Sequence, residues 1–132
     1  MAEKRASRKI GLYVRVSSEN QLSEEGSLKS QRQRLQMEVE RKNLSDSKWG
    51  KVVTEYVEEA RSAKDTNRPK FLEMLRDVQR GNIDTIMVTE LSRLSRSVAD
   101  FLNIVTFLEK YQTDFICPQY NFDTTSPSGR VF

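Results

Sequence analysis

The chain contains no histidine and a single cysteine, Cys117. Together these absences exclude Ser-His and Cys-His catalysis, every His-ligated metal site, thiolate zinc sites and any internal disulfide. The lack of a disulfide fits a reducing compartment. No run approaches the ~18 apolar residues of a membrane span, and the start "MAEKRASRK" lacks the apolar core of a secretory signal. After the first predicted strand, "SSENQ" offers none of the glycines that a dinucleotide or P-loop phosphate cradle needs. Chemistry is left to Ser, Thr, Tyr, carboxylates, Lys and Arg.

What is present describes a soluble, charge-rich single domain. The 132 residues are 36% hydrophobic and 31% charged, enough for one genuine core. Twenty-two Lys+Arg against 19 Asp+Glu leave a net charge of +3, a mild lean toward polyanionic partners.

Residues 1–8 read as a basic, loose start and 9–17 as the first strand. Ser27 caps a helix running to about Asn43, with Leu28, Leu35 and Val39 on one face and the polar Gln31 turned inward among them. A second strand covers 51–57, and "EEARSAKDTNRP" reads as a polar loop whose Glu58–Glu59 pair is a solvated edge. Pro69 opens a helix over 69–80 that carries Phe71, Leu72, Leu75 and Val78 inward and stops at Gly81. A third, doubly buried strand covers 83–89, followed by "ELSRLSR". The next helix, about 97–111, has Val98, Phe101, Leu102, Val105 and Leu108 at helical spacing. "DFICP" ends the series as a fourth strand, and the tail "NFDTTSPSGRVF" is turn-like.

Strands alternating with helices of this length predict an α/β fold: three layers, a mainly parallel sheet and helices on both faces. In such a sheet function sits in the loops leaving the carboxyl ends of the strands. Here those loops hold two adjacent serines and four arginines.

Strand alternation points Tyr13, Arg15 and Ser17 the same way. Arg15 and Ser17 read either as a guanidinium beside a reactive hydroxyl or as a snorkelling arginine next to a turn-capping serine. Arg93 and Arg96, three apart, share a face of a helical turn. They read either as an anion trap beside free backbone N–H groups or as a basic first turn with Ser97 as cap. Arg61 and Arg68, alone, are solvated loop residues; Tyr13 and Cys117 read as core. An oriented serine among several arginines suits attack on a phosphodiester, with bidentate guanidinium groups stabilising the transition state.

Four segments, "YVRVSS" with "SLKSQ", "NRPKFLEML" and "LSRLSRSVADF", together resemble the catalytic domain of serine recombinases, over residues 9–132. The family comprises resolvases, DNA invertases and large integrases. "SRLSR" and "FDTTSPSGR" look more like the integrase branch. The resemblance implies a resolvase-like catalytic domain in which Ser17 is the nucleophile, leaving a 5′-phosphoserine link and a free 3′-OH without ATP, metal or other cofactor. It implies that Arg15, Arg68, Arg93 and Arg96 form the phosphate site, with Tyr13 and Gln31 in support. Ser92 departs from the family pattern, which has an acidic residue opening the D-R-L-x-R motif.

The partners implied are a double-stranded DNA crossover site and further copies of the recombinase, dimeric and then tetrameric, in the full-length parent. The resemblance also implies no membrane association and a cytoplasmic location in a bacterial or phage-encoded setting. The chain is expected to stop before the long dimerisation helix and DNA-binding domains of that family. Two rivals stand beside this reading: a non-catalytic DNA- or partner-binding domain of the same fold, and a domain that binds a phosphorylated small molecule.

Overall fold

The computed structural model describes residues 7–17, 27–45, 48–60, 68–95, 97–118 and 122–123. Along them run β1 (Arg8–Ser17), α1 (Leu28–Ser45), β2 (Gly50–Ala60), α2 (Pro69–Arg80), β3 (Thr85–Met87), α3 (Leu91–Leu94), α4 (Val98–Lys110), β4 (Asp114–Cys117) and β5 (Phe122–Asp123). The strands form one sheet in the order β2-β1-β3-β4-β5. Pairing is parallel from β2 through β4, and β5 is antiparallel to β4. Residues 122–123 thus add an edge strand where the sequence reads as turn.

The chain steps one way from β1 to β2 and the other way from β2 to β3 and β4. Crossovers of constant right-handed sense then place the first helix on one face and the later ones on the other. That is the arrangement found. Leu35 and Val39 of α1 pack on Ile10, Leu12, Val14, Val16, Met87 and Ile116. On the opposite face Phe71, Met74 and Val78 of α2 and Ile104 and Leu108 of α4 meet Tyr13, Tyr56, Ile86, Val88 and Phe115. The alternation of β1 between these two sets is strand periodicity made visible. Gly11 answers a local crowding: a Cβ there would stand 2.9 Å from Ile83 Cδ1 and 3.0 Å from Tyr56 Cε2.

Helix boundaries follow their caps. Ser27 Oγ accepts from Ser30 N, and Ser97 Oγ from Asp100 N. Pro69 opens α2, and Gly81 ends it with φ 76°, the left-handed region that glycine enters without steric cost. Helix α1 buries only two aliphatic side chains, roughly 1.5–3 kcal/mol each, so polar ties also hold it. Gln31 Nε2 donates to Arg15 O, Arg32 Nε to Glu55 Oε1, and Asn43 Nδ2 to Gly50 O.

Three expectations are corrected. On α2, Leu72 is 57% exposed and Met74 is buried instead, because the buried stripe runs 71, 74, 78 at i, i+3, i+7. On α4, Val98 is 76% and Leu102 49% exposed. Ile104, Val105 and Leu108 form the buried stripe there. Strand β2 continues to Ala60, so Glu58 belongs to the sheet and is 1% exposed; it is no solvated loop edge.

Among the described residues no helix is long and apolar enough to cross a membrane.

Candidate functional site

Strand β1 is longer than β3 beside it. Its pairing with β3 ends at Leu12↔Met87, while its pairing with β2 runs on to Ser17↔Ala60. The segment from Tyr13 to Ser17 therefore stands past the carboxyl end of β3. Helix α3 follows β3 after a short link and packs against this overhang. The carboxyl end of β2, the start of α2 and α3 thus surround the end of β1, as expected for the functional edge of a parallel sheet.

Glu58 organises the core of this region. It lies opposite Arg15 in the β1–β2 register. Its Oε1 accepts from Tyr13 OH at 3.2 Å and from Phe71 N at 3.0 Å, and its Oε2 accepts from Lys70 N at 3.2 Å. The N-cap of α2, Arg68, makes no side-chain capping bond. A buried carboxylate from the neighbouring strand therefore satisfies two orphan amides of that helix and meets its positive dipole end. Tyr13 is buried as well, and its phenol is pushed up to about 12, chiefly by loss of solvent. The Arg68 guanidinium opposes that rise and Glu58 adds to it.

Arg68 is gripped on three sides. Its Nη2 donates to Leu94 O at 2.5 Å, and its Nε to Tyr13 OH at 3.5 Å. Its guanidinium lies 3.9 Å from the Phe71 ring centroid and 5.7 Å from that of Tyr13. Aromatic faces suit a guanidinium because their quadrupole presents negative charge to it. One side chain so ties the head of α2, strand β1 and the end of α3 together.

Arg15 is half-buried with its Nε shielded from solvent, and its carbonyl is fastened to α1 by Gln31. The inward glutamine of the α1 face thus pins the backbone of β1 next to the functional end. Arg93 is half-buried in α3, and its Nε has no hydrogen-bond partner among the described residues. Ser17 closes β1; its side chain, and the whole of Arg96, lie outside the described residues. The helical turn that was to align Arg93 with Arg96 ends at Leu94, and Ser95 is extended at φ −149°, ψ 161°. The helix that carries Arg93 therefore ends before position 96, and the shared face expected from the sequence lies outside the described residues. At position 92 Ser92 Oγ donates to Glu90 Oε2 at 3.4 Å.

The structure thus gathers Tyr13, Arg15, Arg68, Arg93 and Gln31 around the outer end of β1. Glu58, read from the sequence as loop, is the residue that was missed. Its signal was available: Tyr56 is a natural inward position on the second strand, and Glu58 shares its parity. The carboxylate of Glu58 is committed to two amides and a phenol, and arginine side chains gathered at one strand end are a donor set suited to an anion. Among the described residues no group of His, Cys, Asp or Glu side chains is arranged to hold a metal ion.

Comparison with known proteins agrees with this geometry. The family described as the resolvase N-terminal domain matches residues 10–132. The chain is 36% identical over 75 residues to a DNA-invertase of Enterobacteria phage P7, covering 57% of this chain and 39% of that protein. It is 36% identical over 67 residues to the serine recombinase gin of Escherichia phage Mu, covering 51% and 34%. The chain therefore spans well under half the length of these two relatives. An uncharacterized immunity region protein of Bacillus phage phi105 is 35% identical over 72 residues, 54% of this chain and 80% of that one. Among solved structures, the N-terminal catalytic domain of TP901-1 integrase superposes with TM-score 0.80 at 33% identity, covering 95% of this chain and 88% of that one. A resolvase-family site-specific recombinase from Streptococcus pneumoniae gives 0.74 at 27% identity, covering 91% and 78%.

Proposed function

The chain belongs to the resolvase family of serine recombinases, and on that premise we propose that it is the domain that cuts and rejoins DNA in a site-specific recombinase. Ser17 is the nucleophile. Its Oγ attacks the scissile phosphorus, the bond from phosphorus to the 3′ oxygen breaks, and the DNA is left joined to Ser17 through its 5′ phosphate. The proton lost by the serine is balanced by the one gained at the 3′-OH. One phosphodiester replaces another, so rejoining is the reverse reaction and needs no ATP.

The observation that supports this reading is the run of β1 beyond the end of β3, beside α2 and α3, the elements at which Arg68 and Arg93 stand. Guanidinium groups there grip the non-bridging oxygens and stabilise the charge that develops on them. Arg96, three residues past Arg93, completes the phosphate site. Tyr13 and Gln31 support it, the first through Arg68 and Glu58 and the second by holding the backbone of Arg15. The substrate is a double-stranded crossover site. Because two strands are cut on each of two DNA partners, the full-length protein works as a dimer that assembles into a tetramer. Its place of action is the cytoplasm, where the DNA is.

The test uses the full-length recombinase with a nicked crossover-site duplex that traps the cleaved state, and looks for a protease-sensitive DNA–protein linkage mapped by mass spectrometry. A 5′-phosphoryl adduct on Ser17, lost in Ser17→Ala and kept in Ser18→Ala, is the expected result. No adduct despite binding would favour a non-catalytic domain of the same fold, the reading to which the hydroxyl at Ser92 points.

A further inference from the structure

Position 92 carries a hydroxyl where the family pattern has a carboxylate, yet the fold brings a carboxylate to it. Glu90 precedes α3 with an extended backbone, φ −142° and ψ 147°, and makes no capping bond to the amides of that helix. Its side chain is taken up instead by two partners. Ser92 Oγ donates to Glu90 Oε2 at 3.4 Å, and Arg34 Nη1 of α1 lies 3.7 Å from Glu90 Oε1. An aspartate at position 92 would carry its oxygens one bond beyond the serine Oγ, into the neighbourhood that Glu90 Oε2 now fills.

Resting on the recombinase reading above, we propose that Glu90 supplies the negative charge of position 92 from two residues upstream. It acts as a positioning residue for the segment that carries Arg93. The need for such a charge follows from the rest of the site. Glu58, the buried carboxylate at this end of the sheet, is committed to Tyr13 and to the head of α2. Arg68, bonded to Leu94 O, and Arg93, one residue before Leu94, stand at the same end. A second carboxylate at the start of α3 offsets their mutual repulsion. Arg34 holds it on the α1 side of the turn, so it orders α3 without occupying the guanidinium of Arg93. The Arg34–Glu90 pair is partly exposed, with side chains 42% and 26% accessible, and such pairs add little to stability. Its loss is therefore read in the rate of cleavage and in electrostatic coupling to position 92, not in a large drop of melting temperature.

Two experiments test this. The first needs no activity: thermal unfolding at neutral pH of the wild type, Ser92→Asp, Glu90→Gln and the double variant. If Glu90 and residue 92 share one charge site, Ser92→Asp alone sets two carboxylates side by side and lowers Tm by about 3 °C, while the same change in the Glu90→Gln background does not. Equal effects in both backgrounds overturn the inference. The second is the adduct assay above. Glu90→Gln slows adduct formation about tenfold with Tm and DNA affinity unchanged, and adding Ser92→Asp restores the rate. A wild-type rate in Glu90→Gln, or a double variant no faster than the single, also overturns it. Absence of any adduct in the wild type would sink the recombinase reading by itself, and the thermal cycle would still decide whether the two positions share a charge.

Discussion

Replacing Glu58 by glutamine keeps the shape of the side chain and changes the character of one atom. The amide oxygen of glutamine can still accept from Tyr13 OH and Phe71 N, as Oε1 does at 3.2 and 3.0 Å. The amide nitrogen then faces Lys70 N, and two donors meet where a carboxylate oxygen accepted at 3.2 Å. One charge-assisted hydrogen bond is lost, about 1.5–3 kcal/mol. The negative charge at the head of α2 goes too, about 0.3–1 kcal/mol. Because these terms overlap, the net cost is about 2–3 kcal/mol, a large share of the ~5–15 kcal/mol that holds such a domain together.

Urea denaturation followed by the fluorescence of Trp49, the one tryptophan of the chain, measures this directly. With a slope of about 1–3 kcal/mol/M, the midpoint falls by about 0.7–3 M. Tyr13→Phe in the same background tests the network: the two changes cost less together than the sum of each alone, since both act on one set of hydrogen bonds. A cost for Glu58→Gln below about 0.5 kcal/mol, the range of surface substitutions, would mean that the carboxylate does not hold the head of α2, and the account of Glu58 would fail.

Two further outcomes follow from neighbouring residues. Arg68→Lys, which keeps the charge but loses the planar fork that stacks on Phe71 and reaches Leu94 O, should slow adduct formation by about 10²-fold; an unchanged rate would reduce Arg68 to a point charge. The Tyr13 phenol, raised above its ordinary 10.0 to about 12, contributes stability that is whole below pH 10 and is lost as pH climbs toward 12, so Tyr13→Phe should flatten the alkaline limb of stability between those values, and an identical limb in both proteins would contradict the burial of this hydroxyl.

Much of this arrangement is legible in the sequence because it depends on local chemistry. Pro69, Gly81, Ser27 and Ser97 mark helix ends by what their own backbones and side chains can do, and each does so in the structure. Gln31 stands out as a polar residue on an apolar stripe, and it proves to be buried against the backbone of Arg15. The four parallel strands and the two-sided layering follow from alternation of elements alone. What is not legible depends on a partner far along the chain. "EEA" has the composition of a loop, and it becomes strand because β1 overhangs and offers Glu58, Glu59 and Ala60 its own Arg15, Val16 and Ser17 to pair with. The helical face expected for Arg93 and Arg96 presumed a continuous turn, and the extended Ser95 interrupts it.

On the proposed function, the contacts of Arg68 also bear on how a DNA phosphate would be held. A guanidinium has five N–H donors. Two serve the protein among the described residues: Nε toward Tyr13 and one N–H of Nη2 toward Leu94 O. Three remain for a phosphate, enough for a bidentate grip, so substrate need not displace the internal bonds to be held. The same bonds then carry a consequence for assembly of the site. Leu94 follows Arg93 directly in α3, and Tyr13 precedes Arg15 by two on β1, so a small adjustment of Arg68 toward a bound phosphate, with its internal bonds kept, would act on both segments at once. Under the proposed function, binding energy at one oxygen would be spent on aligning the other guanidinium groups, the kind of interaction that raises the rate of the chemical step more than the affinity for DNA.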